Sequence, residues 1–301
     1  MKFTETRKFA HILMVILVID WGFEYICAKH AMESLSPLSL IFFKYSIGVF
    51  LVAAIKFKID RKSIFRLKDV PVLAACAISG DILYYFSEYK AMDYMPISLI
   101  TIMLALVPIG SIVIERIFFH KHVTVKMLAG MGVCVIGVAM VIGADFSVLF
   151  KGRILGYLLC FGAITAWNVF NFLTAKLTRT YSGITLTMNQ LLCTILLTLP
   201  YGVTHLPSVG QMTPGVIGGL LYLGLVSAGF GFYIYVYALR ILGPTTNAVY
   251  SNFLPLTATF FGWLFFGEMI SPLQIVGGSI VITTGYIVIK EKGRLEEKSN
   301  D

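Results

Sequence analysis

The stretch ISLITIMLALVPIGSIVI, residues 97–114, decides the fold class of this chain. It is apolar almost throughout and does not alternate between polar and apolar residues, so it fits a membrane-spanning helix and not a β-barrel strand. Ten segments of this kind are found along the sequence: Phe9–Ala28, Leu38–Phe57, Val70–Tyr89, Ile97–Phe118, Val125–Ala144, Ile154–Ala175, Ile184–His205, Gly215–Leu239, Thr245–Phe266 and Leu273–Ile289. The sequence therefore predicts an all-α polytopic membrane protein with ten transmembrane helices.

The composition excludes several other classes of protein. Of the 301 residues, 57% are hydrophobic and 13% are charged, whereas soluble domains carry about 25% charged residues. Ten spans of about 20 residues leave too little chain for a large soluble domain. A soluble enzyme on one anchor, a receptor with a large ectodomain and a secreted disulfide scaffold are therefore excluded.

The basic residues predict the orientation of the chain. Lys and Arg concentrate in the two tails, residues 1–8 and 291–301, and in every second connection between spans, most densely between the second and third spans. Because basic residues are retained on the cytoplasmic side, both termini are expected to be cytoplasmic and the protein to lie in the cell membrane. The net charge of +8 is explained by this bias, so nucleic-acid binding is not predicted and the lipid bilayer is the expected surrounding.

The two halves of the chain are similar to each other. Ala91 aligns with Ala238, Pro108 with Pro255, and Trp21, one residue out of step, with Trp167. Each half, residues 9–144 and 154–290, holds five predicted spans. Because five is odd, the second half enters the membrane from the opposite face, and inverted repeats of this kind are typical of secondary transporters.

The second half also carries motifs that resemble a known family. These are YALRILGPTTNA at 237–248, LPL at 254–256, LFFGE at 264–268 and GGSIVI at 277–282, with a looser copy, YKAMDYMPIS, at 89–98. They resemble the EamA family of the drug/metabolite transporter superfamily. The resemblance implies ten helices in two inverted five-helix repeats around a central cavity, and a carrier whose cargo ranges from amino acids to quaternary amines and drugs.

Ionisable residues inside the predicted spans are the first candidates for a site, because each is costly in lipid. They are Asp20 and Glu24 on the first span, Lys44 on the second, and Asp81 and Glu88 on the third. Spacings of four and seven residues place each carboxylate pair on one helix face. Two interpretations stay open. Either the excess carboxylates bind a cationic or zwitterionic substrate and exchange protons, or Glu24 or Asp81 simply pairs with Lys44 while Glu88 lies in water.

Aromatic and uncharged polar residues accompany these charges. Aromatic faces bind protonated or quaternary amines, but the same residues also pack or line membrane interfaces; the candidates are Trp21, Tyr25, Tyr84, Tyr85 and Trp167. The amide and hydroxyl side chains either bind substrate or bond across helices; they are Asn168, Asn171, Asn247, Ser251 and Asn252.

Two prolines recur at the same place in the two halves. Pro108 and Pro255 lie inside the fourth and ninth spans, where each removes a helix hydrogen bond. We expect each to kink its helix and to act as a hinge in alternating access. Glycines on the fifth and tenth spans match the small-xxx-small pattern only in part, which leaves a homodimer as an open hypothesis.

Other chemistry is not indicated by the sequence. It has no GxxxxGK[ST], GxSxG or HExxH motif, so no cofactor, metal ion or ATP-driven step is expected. The sequence favours a secondary transporter, an exporter of a small cationic or zwitterionic metabolite or drug, with proton antiport as the coupling hypothesis. The alternatives are an uptake carrier for choline-type amines or amino acids and, more distantly, an integral-membrane transferase.

Overall fold

The structure is a computed structural model, and it describes residues 6–61, 65–91, 93–95, 97–143, 153–208, 210, 212–267 and 269–300. These residues form helices and no strands. The α-helices are α1 (Arg7–Met32), α2 (Pro37–Ile59), α3 (Val70–Cys76), α4 (Tyr84–Ala91), α5 (Ile97–Leu104), α6 (Val107–Phe118), α7 (Val125–Val141), α8 (Ile154–Leu177), α9 (Gly183–Thr204), α10 (Pro214–Leu221), α11 (Phe232–Ser251), α12 (Leu254–Phe266) and α13 (Pro272–Asn300).

Local sequence explains where several of these helices begin. Ser and Thr side chains at the N-cap accept a hydrogen bond from the backbone N–H three residues later, which satisfies one of the free donors of the first turn. Such caps are Thr6, Ser36, Thr124, Ser182 and Thr213. At α2 and α10 a proline follows the cap, where its missing N–H costs nothing.

Two π-helices interrupt the α-helical stretches. The first π-helix, Ala77–Leu83, joins α3 to α4, and the second π-helix, Tyr222–Gly231, joins α10 to α11. They lie in the third predicted span of each half of the chain. A π-helix widens the turn, redirects the side chains that follow it and is frequent at functional sites.

In the described residues, seven helices are long and apolar enough to cross a membrane: Arg7–Met32, Pro37–Ile59, Leu67–Ala91, Ile154–Leu177, Gly183–Thr204, Pro214–Ser251 and Pro272–Leu295. Val125–Val141 and Leu254–Phe265 are apolar but shorter. The protein is thus a multi-pass, all-helical membrane protein. The structure differs in two regions from the ten uniform spans that the sequence predicts. The predicted fourth span is divided into α5 and α6, and the predicted ninth span is divided between the end of α11, residues 244–251, and α12.

The chain divides into two compact units. Unit 1 contains the described residues of Met1–Phe86 together with Val169–Gly243, and unit 2 contains Ser87–Asn168 and the described residues of Pro244–Asp301. Each unit therefore takes helices from both halves of the sequence.

In unit 1, α2 packs along α9 and the second π-helix, and α1 packs against α10 and the same π-helix. Glycines allow this approach. A Cβ on Gly48 would lie 2.7 Å from the carbonyl oxygen of Gly224, and one on Gly224 would lie 2.5 Å from the side chain of Ile47. The backbones of α2 and the second π-helix are therefore in direct contact.

In unit 2, the core is formed by α7 and α13, which pack along their length. A Cβ on Gly277 would lie 2.7 Å from the carbonyl oxygen of Gly137. Met127, Met131 and Val281 are fully buried in the same core. The outer faces of these helices keep large apolar side chains exposed, as expected for surfaces that meet lipid.

Candidate functional site

Unit 1 contains a buried ion pair. Lys44 of α2 bonds to Glu24 of α1, and the exposed fractions of the two side chains are 5% and 10%. The other carboxylate oxygen of Glu24 accepts a hydrogen bond from the hydroxyl of Ser227 in the second π-helix. Both oxygens of Glu24 are thus engaged, as a buried carboxylate requires. Of the two partners that the sequence left open for Lys44, the structure shows Glu24.

Asp20 lies one turn before Glu24 on the same face of α1. Its Oδ1 accepts a hydrogen bond of 2.5 Å from the hydroxyl of Tyr222, the first residue of the second π-helix. Its Oδ2 is buried and has no hydrogen-bond partner among the described residues. Asp20 therefore keeps an unused acceptor.

Asp81 belongs to the first π-helix and is 1% exposed. One of its oxygens accepts a hydrogen bond of 2.7 Å from the hydroxyl of Tyr45, and the other accepts one from the hydroxyl of Thr194 on α9. Two hydroxyl groups therefore hold this carboxyl group, and no ammonium group of the described residues bonds to it directly.

Aromatic rings connect the two sets of contacts. The Lys44 ammonium lies 5.7 Å from the ring centre of Tyr45 and 4.8 Å from that of Tyr85, within the range of cation–π attraction. The ring of Tyr45 lies near the Lys44 ammonium, and its hydroxyl bonds to Asp81. We call the connected set the carboxylate network; its members are Asp20, Glu24, Lys44, Tyr45, Asp81, Tyr85, Thr194, Tyr222 and Ser227.

The formal charge of the carboxylate network is negative. It holds three carboxyl groups, those of Asp20, Glu24 and Asp81, against the single ammonium of Lys44. If all four groups are ionised, two negative charges remain without a cation in the network. Burying charge without an opposite charge is expensive, so the arrangement favours binding of a cation or a proton.

Both π-helices supply members of the network. Asp81 comes from the first, and Tyr222 and Ser227 come from the second. The four hydroxyl partners of the carboxyl groups were not identified from the sequence; they are Tyr45, Thr194, Tyr222 and Ser227. Tyr45 could have been suspected, because it directly follows the intramembrane Lys44. The other three lie far along the chain from the carboxyl groups that they contact.

Glu88, the fifth predicted ionisable residue, is buried but belongs to unit 2. Its spacing of seven residues from Asp81 does not set a common helix face, because residues 81–83 belong to the π-helix.

The predicted aromatic residues fall into two groups. In unit 1, Trp21 is 8% exposed and packs with its ring centre 5.3 Å from that of Tyr235. Tyr84 and Tyr85 form an edge-to-face pair at 5.0 Å. Trp167 is buried in unit 2. The remaining candidate, Tyr25, has a side chain that lies outside the described part of the structure.

Asn168 in unit 2 bonds across helices. Its oxygen accepts a hydrogen bond of 2.5 Å from Ser111, and its amide nitrogen donates to the carbonyl oxygens of Val107 at 3.2 Å and Ile164 at 2.9 Å. The amide has two N–H groups and finds two acceptors. Asn168 therefore ties α8 to the start of α6.

The other polar candidates lie in both units. Asn171 in unit 1 is fully buried and accepts a hydrogen bond of 2.5 Å from Tyr235, while its amide nitrogen has no partner among the described residues. In unit 2, Asn247 is fully buried, Ser251 is half-buried, and Asn252 donates to the sulfur of Cys134 at 3.5 Å.

The two prolines mark breaks between helices. α5 ends at Leu104 and α6 begins at Val107, so Pro108 lies in the first turn of α6; Pro255 lies in the first turn of α12. In a first turn, proline removes no intrahelical hydrogen bond. The predicted kinks are therefore complete interruptions, and a hinge role for the prolines stays a prediction.

A second charged cluster, in unit 2, was not identified from the sequence. Glu115 of α6 is 2% exposed and bonds to Lys292 of α13 and, at 3.2 Å, to Lys121. Lys292, which the sequence assigns to the C-terminal tail, lies in α13, which continues to Asn300. Among the described residues, no group of three or more His, Cys, Asp or Glu side chains is arranged to hold a metal ion.

Known proteins resemble the chain in both fold and sequence. A solved crystal structure of a protein superimposes with a TM-score of 0.77 over 97% of this chain and 100% of the other, at 16% sequence identity, which shows a shared fold.

Relatives of similar length are transporters by name. An uncharacterized transporter from Archaeoglobus fulgidus is 22% identical over 93% of this chain and 99% of that protein. A probable terminal-alkyne amino-acid exporter from Streptantibioticus cattleyicolor is 23% identical over 78% of each chain. The sequence profile of the EamA-like transporter family matches twice, over residues 8–143 and 154–290. The chain therefore belongs to the EamA-like transporter family.

Proposed function

We propose that this protein is a secondary active exporter of small cationic or zwitterionic molecules that works by alternating access and exchanges its cargo for protons. The observation that carries the proposal is the charge of the carboxylate network, which contains three carboxyl groups and a single ammonium. A cation from the substrate would supply the missing positive charge.

Within the network, Asp20 is the best-placed residue to receive the substrate. Glu24 already uses both oxygens, and so does Asp81. Asp20 is only partly buried as a residue, and its Oδ2 is an unused acceptor. The hydroxyl of Tyr222 would hold the carboxyl group in place while Oδ2 accepts an N–H of the substrate.

Proton exchange follows from the same geometry. With substrate absent, a proton on Asp20 would reduce the excess negative charge; with substrate present, the cation takes that role and the proton is released. The two ligands thus compete for one carboxyl group, which is the requirement for antiport. Lys44 would remain paired with Glu24 and hold α1 against α2.

Export is proposed as the direction because one relative is named as a probable exporter. We further propose that the repeats at 9–144 and 154–290 are inverted, with both termini in the cytoplasm of a cell that carries the protein in its plasma membrane. The bias of Lys and Arg among the connections supports this orientation.

Transport in proteoliposomes tests the proposal. Liposomes that contain the purified protein would be loaded with tetraethylammonium, choline, lysine or leucine. Counterflow and flux driven by a pH gradient would then be measured for each compound. Asp20→Asn removes the charge and keeps the shape, and we expect at least a tenfold loss of driven flux, since a hydrogen bond to a charged group contributes about 1.5–3 kcal/mol. Glu33→Gln is the matched control, because Glu33 lies just after the same helix with its side chain 66% exposed.

The proposal fails if Asp20→Asn, Glu24→Gln and Asp81→Asn all keep the wild-type rates and the wild-type dependence on pH. Chemical conversion of any probe would instead identify an enzyme. Counterflow without conversion, lost in Asp20→Asn and kept in Glu33→Gln, is the supporting result.

A further inference from the structure

α11 is broken at Gly243. The residue has φ 78° and ψ 168°, values that only glycine adopts readily, and Pro244 follows it. The chain therefore stops being helical and starts again at Pro244, so residues 244–251 form a helical segment with its own N-terminus.

The N-terminus of this segment lacks the usual side-chain cap. Gly243 has no side chain to offer, and Pro244 has no N–H, so the first backbone donors of the new turn belong to Thr245 and Thr246. A helix N-terminus carries about half a unit of positive charge, which favours a negatively charged partner.

Two buried hydroxyls lie in the same turn. Thr245 and Thr246 are each 1% exposed, and the hydroxyl of each has no hydrogen-bond partner among the described residues. Thr inside a helix commonly bonds back to the carbonyl four residues earlier, as Thr284 does to Ile280 at 2.7 Å. In the first turn of the segment 244–251 no carbonyl lies four residues earlier in the same helix, so the hydroxyls at 245 and 246 cannot bond back within it. Two buried donors left unused in one turn indicate an external acceptor.

The direction of these side chains agrees with such an acceptor. In an α-helix each Cα–Cβ bond tilts toward the N-terminus, so first-turn side chains lean toward the same end as the free N–H groups.

We propose that the N-terminus of the segment 244–251 binds the carboxylate group of a small molecule, held by the hydroxyls of Thr245 and Thr246 and by the backbone N–H groups of the first turn. A carboxylate fits this set of donors better than a phosphate. The helix N-terminus carries about half a positive charge, which is closer in size to the single negative charge of a carboxylate than to the double negative charge of a phosphate. The site binds carboxylate whether or not the carboxylate network binds a cation. Because both side chains are buried, the ligand enters only when the surrounding helices open.

The experiment measures thermal unfolding of the purified full-length protein in detergent micelles. The probes are sodium acetate, sodium phosphate and sodium chloride, each in a concentration series at constant ionic strength. We expect acetate to raise the midpoint and phosphate and chloride not to, because a ligand that binds only the folded protein stabilises it.

The variant that tests the site is Thr245→Val combined with Thr246→Val, which keeps the shape and removes both hydroxyls. We expect its midpoint without acetate to equal or exceed that of the wild type, since buried unsatisfied hydroxyls are lost, and the apparent affinity for acetate to fall at least about tenfold. Thr245→Ser with Thr246→Ser restores the hydroxyls and should keep the acetate response. Thr284→Val is the control, because its hydroxyl is satisfied within its own helix.

The proposal is overturned if acetate does not stabilise the wild-type protein more than chloride does, or if the double valine variant responds to acetate like the wild type. It is equally overturned if phosphate gives the larger shift, or if the control Thr284→Val loses the response. If the double valine variant does not fold, the single variants Thr245→Val and Thr246→Val are tested in its place. The proposal then requires that they lose the acetate response and that the double serine variant keeps it. None of these results depends on transport, so failure here is distinguishable from failure of the exporter proposal.

Discussion

Lys44→Met is the perturbation that most directly tests the buried ion pair of unit 1. The substitution removes the ammonium and keeps a side chain of similar length and apolar surface. It leaves Glu24 in a position where the side chain is 10% exposed and where Ser227 is the remaining donor among the residues that the structure describes. The variant therefore creates a buried carboxylate without its cation.

The size of the effect follows from what is lost. Breaking a buried ion pair by removing one partner costs about 3–5 kcal/mol, because the remaining charge is left uncompensated. Loss of the cation–π contact with Tyr85, 4.8 Å from the Lys44 ammonium, adds about 0.5–2 kcal/mol. Since 1.4 kcal/mol is a factor of ten, we expect the folded population to fall by roughly two and a half to five powers of ten relative to the unfolded one.

The assay is unfolding of the purified protein in mixed micelles with increasing SDS. Lys44→Met should unfold at a clearly lower SDS fraction than the wild type, because Glu24 is left buried without its cation. Adding Glu24→Gln to the same variant should recover most of the stability, to within about 1 kcal/mol of the wild type, because no unpaired charge then remains. If the single variant is as stable as the wild type, or if the double variant is no more stable than the single one, the reasoning is refuted.

Three further predictions concern unit 2 and the orientation of the chain. Gly277→Ala places a Cβ 2.7 Å from the carbonyl oxygen of Gly137, and we expect a loss of about 1–3 kcal/mol in the same unfolding assay. Gly132→Ala, whose Cβ would meet nothing described within 4 Å, should be neutral or slightly stabilising, and equal effects of the two changes would contradict this account of the packing. Glu115→Gln leaves Lys292 buried without its carboxylate and should lower the free energy of unfolding by about 3 kcal/mol. Adding Lys292→Met should recover most of that stability. If it does not, the loss of the ion pair is not the cause of the destabilisation. For a cytoplasmic C-terminus, we expect a green fluorescent protein fused there to fluoresce and an alkaline phosphatase fused there to be inactive. The opposite pattern would contradict the proposed topology.

Much of the helical architecture could be predicted because its cause is local. Long apolar runs must form helices in lipid, and Asp20 and Glu24 lie one turn apart on a regular stretch of α1. The sequence also limited the partner of Lys44 to Glu24 or Asp81. Choosing between them required the packing of α1 on α2, which no local pattern contains.

The π-helices were not predictable in the same way. A π-helix adds a residue to a turn, and in a segment as uniformly apolar as Tyr222–Gly231 the side-chain pattern gives no sign of that extra residue. For this reason the spacing argument holds for Asp20 and Glu24 and does not hold for Asp81 and Glu88. The hydroxyl partners were missed for a related reason, since Ser227 lies 203 residues after Glu24 and is brought to it by tertiary packing alone.

The composition of the two units has a consequence for biogenesis. Each unit needs helices from both halves of the chain, so neither can close before the ribosome has made most of the second half. Ser227 is synthesised 203 residues after its partner Glu24, and Thr194 is synthesised 113 residues after its partner Asp81. At about 5–20 residues per second, those intervals are roughly 5–40 seconds. During that time the nascent helices hold half-satisfied carboxyl groups, and the insertion machinery has to shelter them from lipid until their partners are synthesised.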